Sequence, residues 1–204
     1  SGGLRERTRV RDLVEIGMGR TARRTYELED VDIVPSRRTR SSKEVSTAWQ
    51  LDAYRFDIPI VAHPTDALVS PSFAIELGKR GGLGVINGEG LWSRHADVES
   101  VIDQLVELAE SDVDADAPVK MLQKLHAAPL QPDLLAAAVA QVRESGVTVA
   151  VRVSPQNARS LTPALVAAGI DLLVVQGTII SAEHVGHPSE EPLNMKTFIA
   201  ELDV

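Results

Sequence analysis

The sequence from residue 58 to residue 87 reads IPIVAHPTDALVSPSFAIELGKRGGLGVIN. Two short apolar runs, Ile58–Ala62 and Leu83–Ile86, flank a segment with the apolar spacing of a helix. A polar turn, His63–Asp66, separates the first run from this helix, and a glycine pair ends it. The order predicts strand, helix and strand, with the two strands parallel. Ligands bind at the C-terminal ends of such strands, so the residues that follow both runs are candidates for binding.

This stretch resembles the start of the barrel in the IMP dehydrogenase/GMP reductase family. In that family a strand ends in a Ser-x-x-Met-Asp-Thr-type turn, and the next strand reads (E/Q)GG(I/L)GVIH. Upstream, residues 26–37 read YELEDVDIVPSR and are similar to the family's (T/Y)-F-D-D-V-x-L-V-P-x-R segment. The resemblance is closest to the IMP dehydrogenase-related proteins that lack the inserted regulatory (CBS) domain.

The totals are typical of a folded α/β protein. The chain has 204 residues, of which 44% are hydrophobic and 25% charged, so a packed core is expected. We find no apolar run of 18 residues and no signal-peptide pattern in it, and we expect a soluble, cytoplasmic protein without membrane contact. Cysteine is absent, which excludes disulfides and a cysteine nucleophile within these residues.

Charge divides the chain into two parts. Residues 1–43 hold 11 Lys and Arg against 7 Asp and Glu, whereas the remainder holds 10 against 22. The basic residues 1–43 could bind phosphate or nucleic acid. The acidic remainder of the chain offers them a partner, however, so we do not expect nucleic-acid binding. We predict an N-terminal arm and entry segment at 1–45 and a barrel portion at 46–204.

Four α/β-type strands are predicted, separated by helices. The strands are expected near 58–62, 83–86, 147–153 and 171–175, and the helices after the first unit at 94–109, 119–126, 133–145, 157–168 and 194–202. A closed (β/α)8 TIM barrel needs eight strands and about 250 residues, so the chain is interpreted as the first half of one. Bare sheet edges favour self-association, and the family is typically tetrameric, so a homo-oligomer is expected.

The resemblance implies the chemistry. The family oxidises IMP to XMP with NAD, or reduces GMP to IMP with NADPH, through a cysteine thioimidate on the purine, and so takes part in purine nucleotide biosynthesis. Its cysteine lies on a loop after the sixth strand, beyond the four strands predicted here. We therefore assign no catalytic residue and expect these residues to form the rim of the substrate and cofactor pockets.

The candidates for substrate binding follow the first three strands. His63 and Thr65 stand where the resemblance places residues that contact the IMP base and ribose, although both differ from the family pattern. His63 could donate to a ligand oxygen or pack on the adjacent proline. Asn87 could bind a ligand or stabilise its turn. Arg152 and Ser154 end the third strand, where the arginine could pair with a ligand phosphate or with a neighbouring carboxylate.

The cofactor candidates follow the fourth strand. Gln176 stands where the family commonly has an aspartate that holds the nicotinamide ribose or carboxamide of NAD. Glutamine can form such a hydrogen bond without the charge, and we expect Thr178 to assist it in binding the cofactor. Asp66 matches a family aspartate, and we expect it to cap a turn.

Two motifs are set aside and one alternative stays open. The glycines of residues 80–84 precede a strand, whereas phosphate-binding loops follow one, so they are read as a helix end and a tight strand entry. The histidines lack partners at metal-ligand spacing, so no metal site is predicted. The departures at His63, Thr65 and Gln176 favour the alternative of a non-catalytic family member that binds a nucleotide or a protein partner for regulation.

Overall fold

The computed structural model describes residues 13–34, 41–111, 116–177 and 193–202. Two compact units divide between Val45 and Ser46. The first unit contains an antiparallel hairpin of strands β1 (Leu13–Gly17) and β2 (Arg20–Arg23). Its turn includes Met18, whose φ of 36° lies in the left-handed region between two glycines that also have positive φ. These three residues thus make a tight turn.

The second unit is an α/β structure built on a parallel sheet. Its sheet has four strands in chain order, and a hairpin precedes it. The strands are β3 (Trp49–Leu51) and β4 (Tyr54–Phe56) of the hairpin, then β5 (Val61–Ala62), β6 (Leu83–Asn87), β7 (Ala150–Val153) and β8 (Leu172–Val175). The helices are α1 (Pro71–Lys79), α2 (Val98–Glu110), α3 (Ala117–Ala127), α4 (Pro132–Glu144), α5 (Pro155–Ala168) and α6 (Met195–Glu201).

The predicted α/β class and its four parallel strands are confirmed, while some boundaries were wrong. The third sheet strand begins at Ala150 rather than at 147, because its pairing with both neighbouring strands starts there; Val147 instead lies against α1 at Gly78. Helix α2 begins at Val98 rather than at 94, because the Asp97 side chain accepts the Ser100 N–H and caps it there. Closure into an eight-stranded barrel stays a prediction.

The two faces of the sheet have different partners. Ile86, Val151 and Val153 are fully buried in the core that the sheet shares with the helices. The alternate residues of the strands face the other way, and Leu83, Val85 and Ala150 pack there with Phe56 of the hairpin. We call this second side the inner face. Residues that continue the same alternation beyond it are polar: Asn87, Arg152 and Gln176.

Helix α1 packs directly on β6 at a glycine. A Cβ placed on Gly84 would lie 2.6 Å from the Cα of Ala74 and 2.8 Å from its Cβ. Absence of a side chain therefore lets the helix backbone approach the strand, which explains this glycine without any phosphate. In the described part of the chain no helix is long and apolar enough to cross a membrane.

We expect G84A to destabilise the fold. The added methyl group has no space between β6 and α1, so overpacking should lower the free energy of unfolding by about 1–3 kcal/mol. Urea denaturation followed by circular dichroism measures the change. A midpoint equal to that of the wild type would contradict the close approach of Ala74 to the strand.

Candidate functional site

The C-terminal ends of the sheet strands carry the residues predicted as binding groups. His63 and Thr65 follow β5, and both side chains are exposed. The Thr65 N–H donates to the His63 carbonyl at 2.8 Å, which folds the backbone into a tight turn. The turn leaves the imidazole and the hydroxyl on the surface, where they could meet a ligand.

Asn87 is engaged in its own turn. Its Oδ1 accepts the backbone N–H of Glu89 at 3.2 Å. This is the stabilising role that the sequence left open beside ligand binding. The amide nitrogen of the same side chain is still a possible ligand donor.

Glu89 is the centre of the site, and the sequence reasoning missed it. Its Oε2 accepts from Arg152 Nη1 at 3.3 Å and from the Ser154 backbone N–H. Its Oε1 accepts the Ser154 hydroxyl at 2.8 Å and the Asn157 side-chain amide. A carboxylate has about four lone-pair sites, so these four donors saturate it. We call Glu89 with Arg152, Ser154 and Asn157 the Glu89 cluster.

The cluster is electrostatically favourable and mostly hidden from water. The side chains of Glu89 and Arg152 are 11% and 23% exposed. The carboxylate also lies at the first turn of α5, where the helix dipole favours negative charge. The Ser154 hydroxyl both donates to Glu89 and accepts the Asn157 N–H as the N-cap of α5.

Arg152 connects this cluster to the next strand. Its Nη2 donates to the Gln176 carbonyl at 2.8 Å, while Nη1 pairs with Glu89. Of the two alternatives for Arg152, the neighbouring carboxylate is therefore the one observed. Gln176 also donates its backbone N–H to Val153 at 3.0 Å, and its side chain is exposed. Thr178, the other cofactor candidate, lies outside the described residues.

Asp66 caps a distant turn rather than its own. Its Oδ2 accepts the Leu91 N–H at 3.1 Å, at the start of a short 3-10 helix after β6. His126 Nε2 lies 3.9 Å from the same oxygen. Burial raises the pKa of Asp66, opposed by the Leu91 hydrogen bond and by the charges of His126 and Arg94.

The segment after β6 is therefore held from several sides. Arg94 donates through Nε to the Glu89 carbonyl at 3.0 Å and through Nη1 to the Ala128 carbonyl. The Gln131 side chain donates to the Arg94 carbonyl at 2.8 Å. These bonds attach the segment to the α3–α4 connection, while Asp66 attaches it to the loop after β5.

Fold and site together define a class of protein. It is an α/β protein with a parallel sheet whose C-terminal strand ends form a polar rim, with exposed side chains from the first and the last strand. Such rims are the ligand-binding edges of parallel α/β proteins.

Comparison with known proteins places the chain within this class. Residues 25–187 match the model of the IMP dehydrogenase / GMP reductase domain, and the chain belongs to that family. Its fold is similar to the crystal structure of an IMP dehydrogenase/GMP reductase-like protein from Corynebacterium glutamicum. The TM-score is 0.81 at 58% sequence identity, over 95% of this chain and 50% of that one.

Sequence relatives agree with this membership. An uncharacterized oxidoreductase of Mycolicibacterium smegmatis is 75% identical over 192 residues, which are 94% of this chain and 51% of that protein. The inosine-5'-monophosphate dehydrogenase of Methanocaldococcus jannaschii is 29% identical over 91 residues, 45% of this chain and 17% of that enzyme. The chain spans about half the length of the mycobacterial relatives that it matches.

The contact between Asp66 and Gly90 can be tested by substitution. A Cβ on Gly90 would lie 1.9 Å from Asp66 Oδ1, although the φ of −84° suits any residue. We expect G90A to lower the free energy of unfolding by about 1–3 kcal/mol through this overlap. The effect should be smaller in a D66A background, because the overlapping carboxylate is gone. Additive losses in a double-mutant cycle would contradict the contact.

The raised pKa of Asp66 predicts a pH dependence. The pKa of Asp66 is higher in the folded chain than in the unfolded chain, where it is near 3.8, so the folded chain holds this proton more tightly. The resulting stability is fully present below pH 3.8 and is lost as the pH rises through the folded pKa. Between pH 3.8 and the folded pKa, the unfolding free energy of the wild type should therefore fall relative to that of D66N. Above the folded pKa, the difference between the two proteins should stay constant. Urea denaturation at a series of pH values measures this difference, and a gap that grows in favour of the wild type would contradict it.

Proposed function

We propose that this chain forms part of an oxidoreductase that acts on a purine nucleotide, oxidising IMP to XMP with NAD as the hydride acceptor. One observation carries the proposal beyond family membership. His63, Thr65 and Gln176 are exposed at strand ends, whereas Arg152 and Ser154, which lie between them, are hydrogen-bonded to Glu89. A rim of free side chains on a rigid support is the arrangement that ligand recognition requires.

His63 and Thr65 are proposed to meet the nucleotide. An imidazole N–H and a hydroxyl both suit the oxygen and nitrogen atoms of a purine and a ribose. Their turn is anchored through Asp66, which holds the segment after β6 at Leu91. The two groups therefore extend from a fixed backbone, which lowers the entropic cost of binding.

Gln176 is proposed to meet the cofactor. Its backbone is held by two hydrogen bonds, to Val153 and from Arg152, while its amide is exposed at the end of β8. A fixed, exposed amide fits the hydroxyls of a ribose or the carboxamide of a nicotinamide. NAD supplies the hydride acceptor when bound, and Gln176 contributes binding without a negative charge.

Turnover of the whole protein tests this function. Incubation with IMP and NAD should produce NADH, followed by its absorbance, and calorimetry should detect IMP binding. We expect H63A to weaken IMP binding by about 2- to 12-fold, the effect of one lost hydrogen bond of about 0.5–1.5 kcal/mol. Q123A, on the exposed surface of α3, is the control and should bind IMP like the wild type. Absence of both turnover and IMP binding would refute the proposal.

A second function is favoured by one observation. Arg152 and Ser154, two candidates for anchoring a ligand, are occupied by Glu89. A family member that binds a nucleotide or a protein partner for regulation needs only the exposed groups of the rim. Binding of IMP without any NADH formation in the whole protein would select this function over the enzyme.

A further inference from the structure

Three successive strand ends are joined by one chain of polar contacts. Glu89 follows β6, Arg152 is the last residue but one of β7, and Gln176 follows β8. Arg152 uses one guanidinium nitrogen on the Glu89 carboxylate at 3.3 Å and the other on the Gln176 carbonyl at 2.8 Å. We propose that Glu89 is a positioning residue, which orients Arg152 and so fixes the backbone of Gln176 and Gly177 where the cofactor is proposed to bind.

The geometry of the guanidinium makes this coupling specific. Arginine presents its donors in a rigid planar fork, so orienting one nitrogen also orients the other. Glu89 itself is held by Ser154 and Asn157, both at the start of α5. The carboxylate therefore cannot follow Arg152 if the arginine shifts, and the arginine is the part that adapts to Glu89.

Saturation of the carboxylate separates this role from catalysis. All four lone-pair sites of Glu89 accept protein donors, so it has no free site for a substrate proton. Its effect on a ligand must therefore pass through Arg152 and Gln176. The link to the cofactor depends on the proposed function, whereas the link from Glu89 to Gln176 depends only on the contacts.

The backbone after Gln176 has a second contact beside the one from Arg152. The adjacent Gly177 passes so close to Pro155 that a Cβ there would lie 2.5 Å from its Cδ. Gly177 is thus packed on the first residue of α5, the helix whose N-terminus carries the Glu89 cluster. The same helix start therefore holds the Glu89 carboxylate and contacts the backbone segment that Arg152 reaches.

Amide hydrogen exchange in the whole protein without ligand tests the coupling. R152K keeps the positive charge, but a single ammonium on a flexible stem lacks the fork that holds both partners. We expect amide exchange at Gln176 and Gly177 to become about tenfold faster or more. The reason is that the hydrogen bond from the charged Arg152 to the Gln176 carbonyl is lost, so this backbone opens more often. E89Q should also make exchange at these two amides faster, because the NH2 group of glutamine cannot accept hydrogen bonds from the donors that surround Glu89. Exchange at β6 should not change in R152K.

A matched control is available on α1. Glu76 and Arg80 form an exposed ion pair at 2.7 Å, with side chains 58% and 67% exposed. E76Q removes the same kind of pair without touching a strand end, so exchange at Gln176 and Gly177 should not change. If R152K also leaves those two amides at the wild-type rate, the positioning role is wrong, whether or not the protein binds NAD.

Kinetics distinguishes positioning from a general loss of structure. R152K should raise the KM for NAD several-fold more than the KM for IMP, because His63 and Thr65 lie on a different loop. Equal increases in both values, with exchange faster throughout the sheet, would overturn the proposal. A wild-type protein without NAD turnover would count against the proposed function, while the exchange result would still decide the coupling.

Discussion

The largely buried carboxylate of Glu89, with the hydrogen bonds that it accepts, is the interaction on which the polar rim depends. Isolated charges at such depth are costly, and this one is stabilised by a guanidinium, a hydroxyl, an amide and a backbone N–H. Removal of any one donor leaves the others paired, but removal of the carboxylate leaves all four without their acceptor. The ends of β6 and β7 and the start of α5 therefore share one electrostatic support.

The support explains the division between buried and exposed polar groups. Arg152 and Ser154 lie where a ligand could be met, yet both satisfy the protein itself. His63, Thr65 and Gln176 are exposed around them. Rigid inner groups and free outer groups are the usual division between residues that position a site and residues that bind at it.

The sequence predicted the scaffold better than the site, for a physical reason. Apolar periodicity is local, so the run at Leu83–Asn87 and the helix before it could be found from neighbouring residues. The partners of Glu89 lie 63 to 68 residues away along the chain, and no local pattern reports them. An acidic residue two positions after a buried strand was the only available signal.

Two other gaps in the prediction have similar causes. Asp66 caps a turn as expected, but the N–H that it accepts belongs to Leu91, 25 residues away, and no local pattern reports that partner. Strand β2 reads RTAR and has no apolar alternation, so its hairpin with β1 was missed. Family resemblance carried no information about which side chains the fold itself would occupy.

A hydrogen-exchange footprint of the whole protein with and without IMP and NAD tests most directly whether the rim is the ligand-binding edge. The amides of His63, Thr65 and Asp66 should become protected with IMP, and those of Gln176 and Gly177 with NAD, while the exposed surface of α3 keeps its rate. Protection confined to other parts of the protein, or no protection at saturating concentrations, would contradict a binding role for these strand ends.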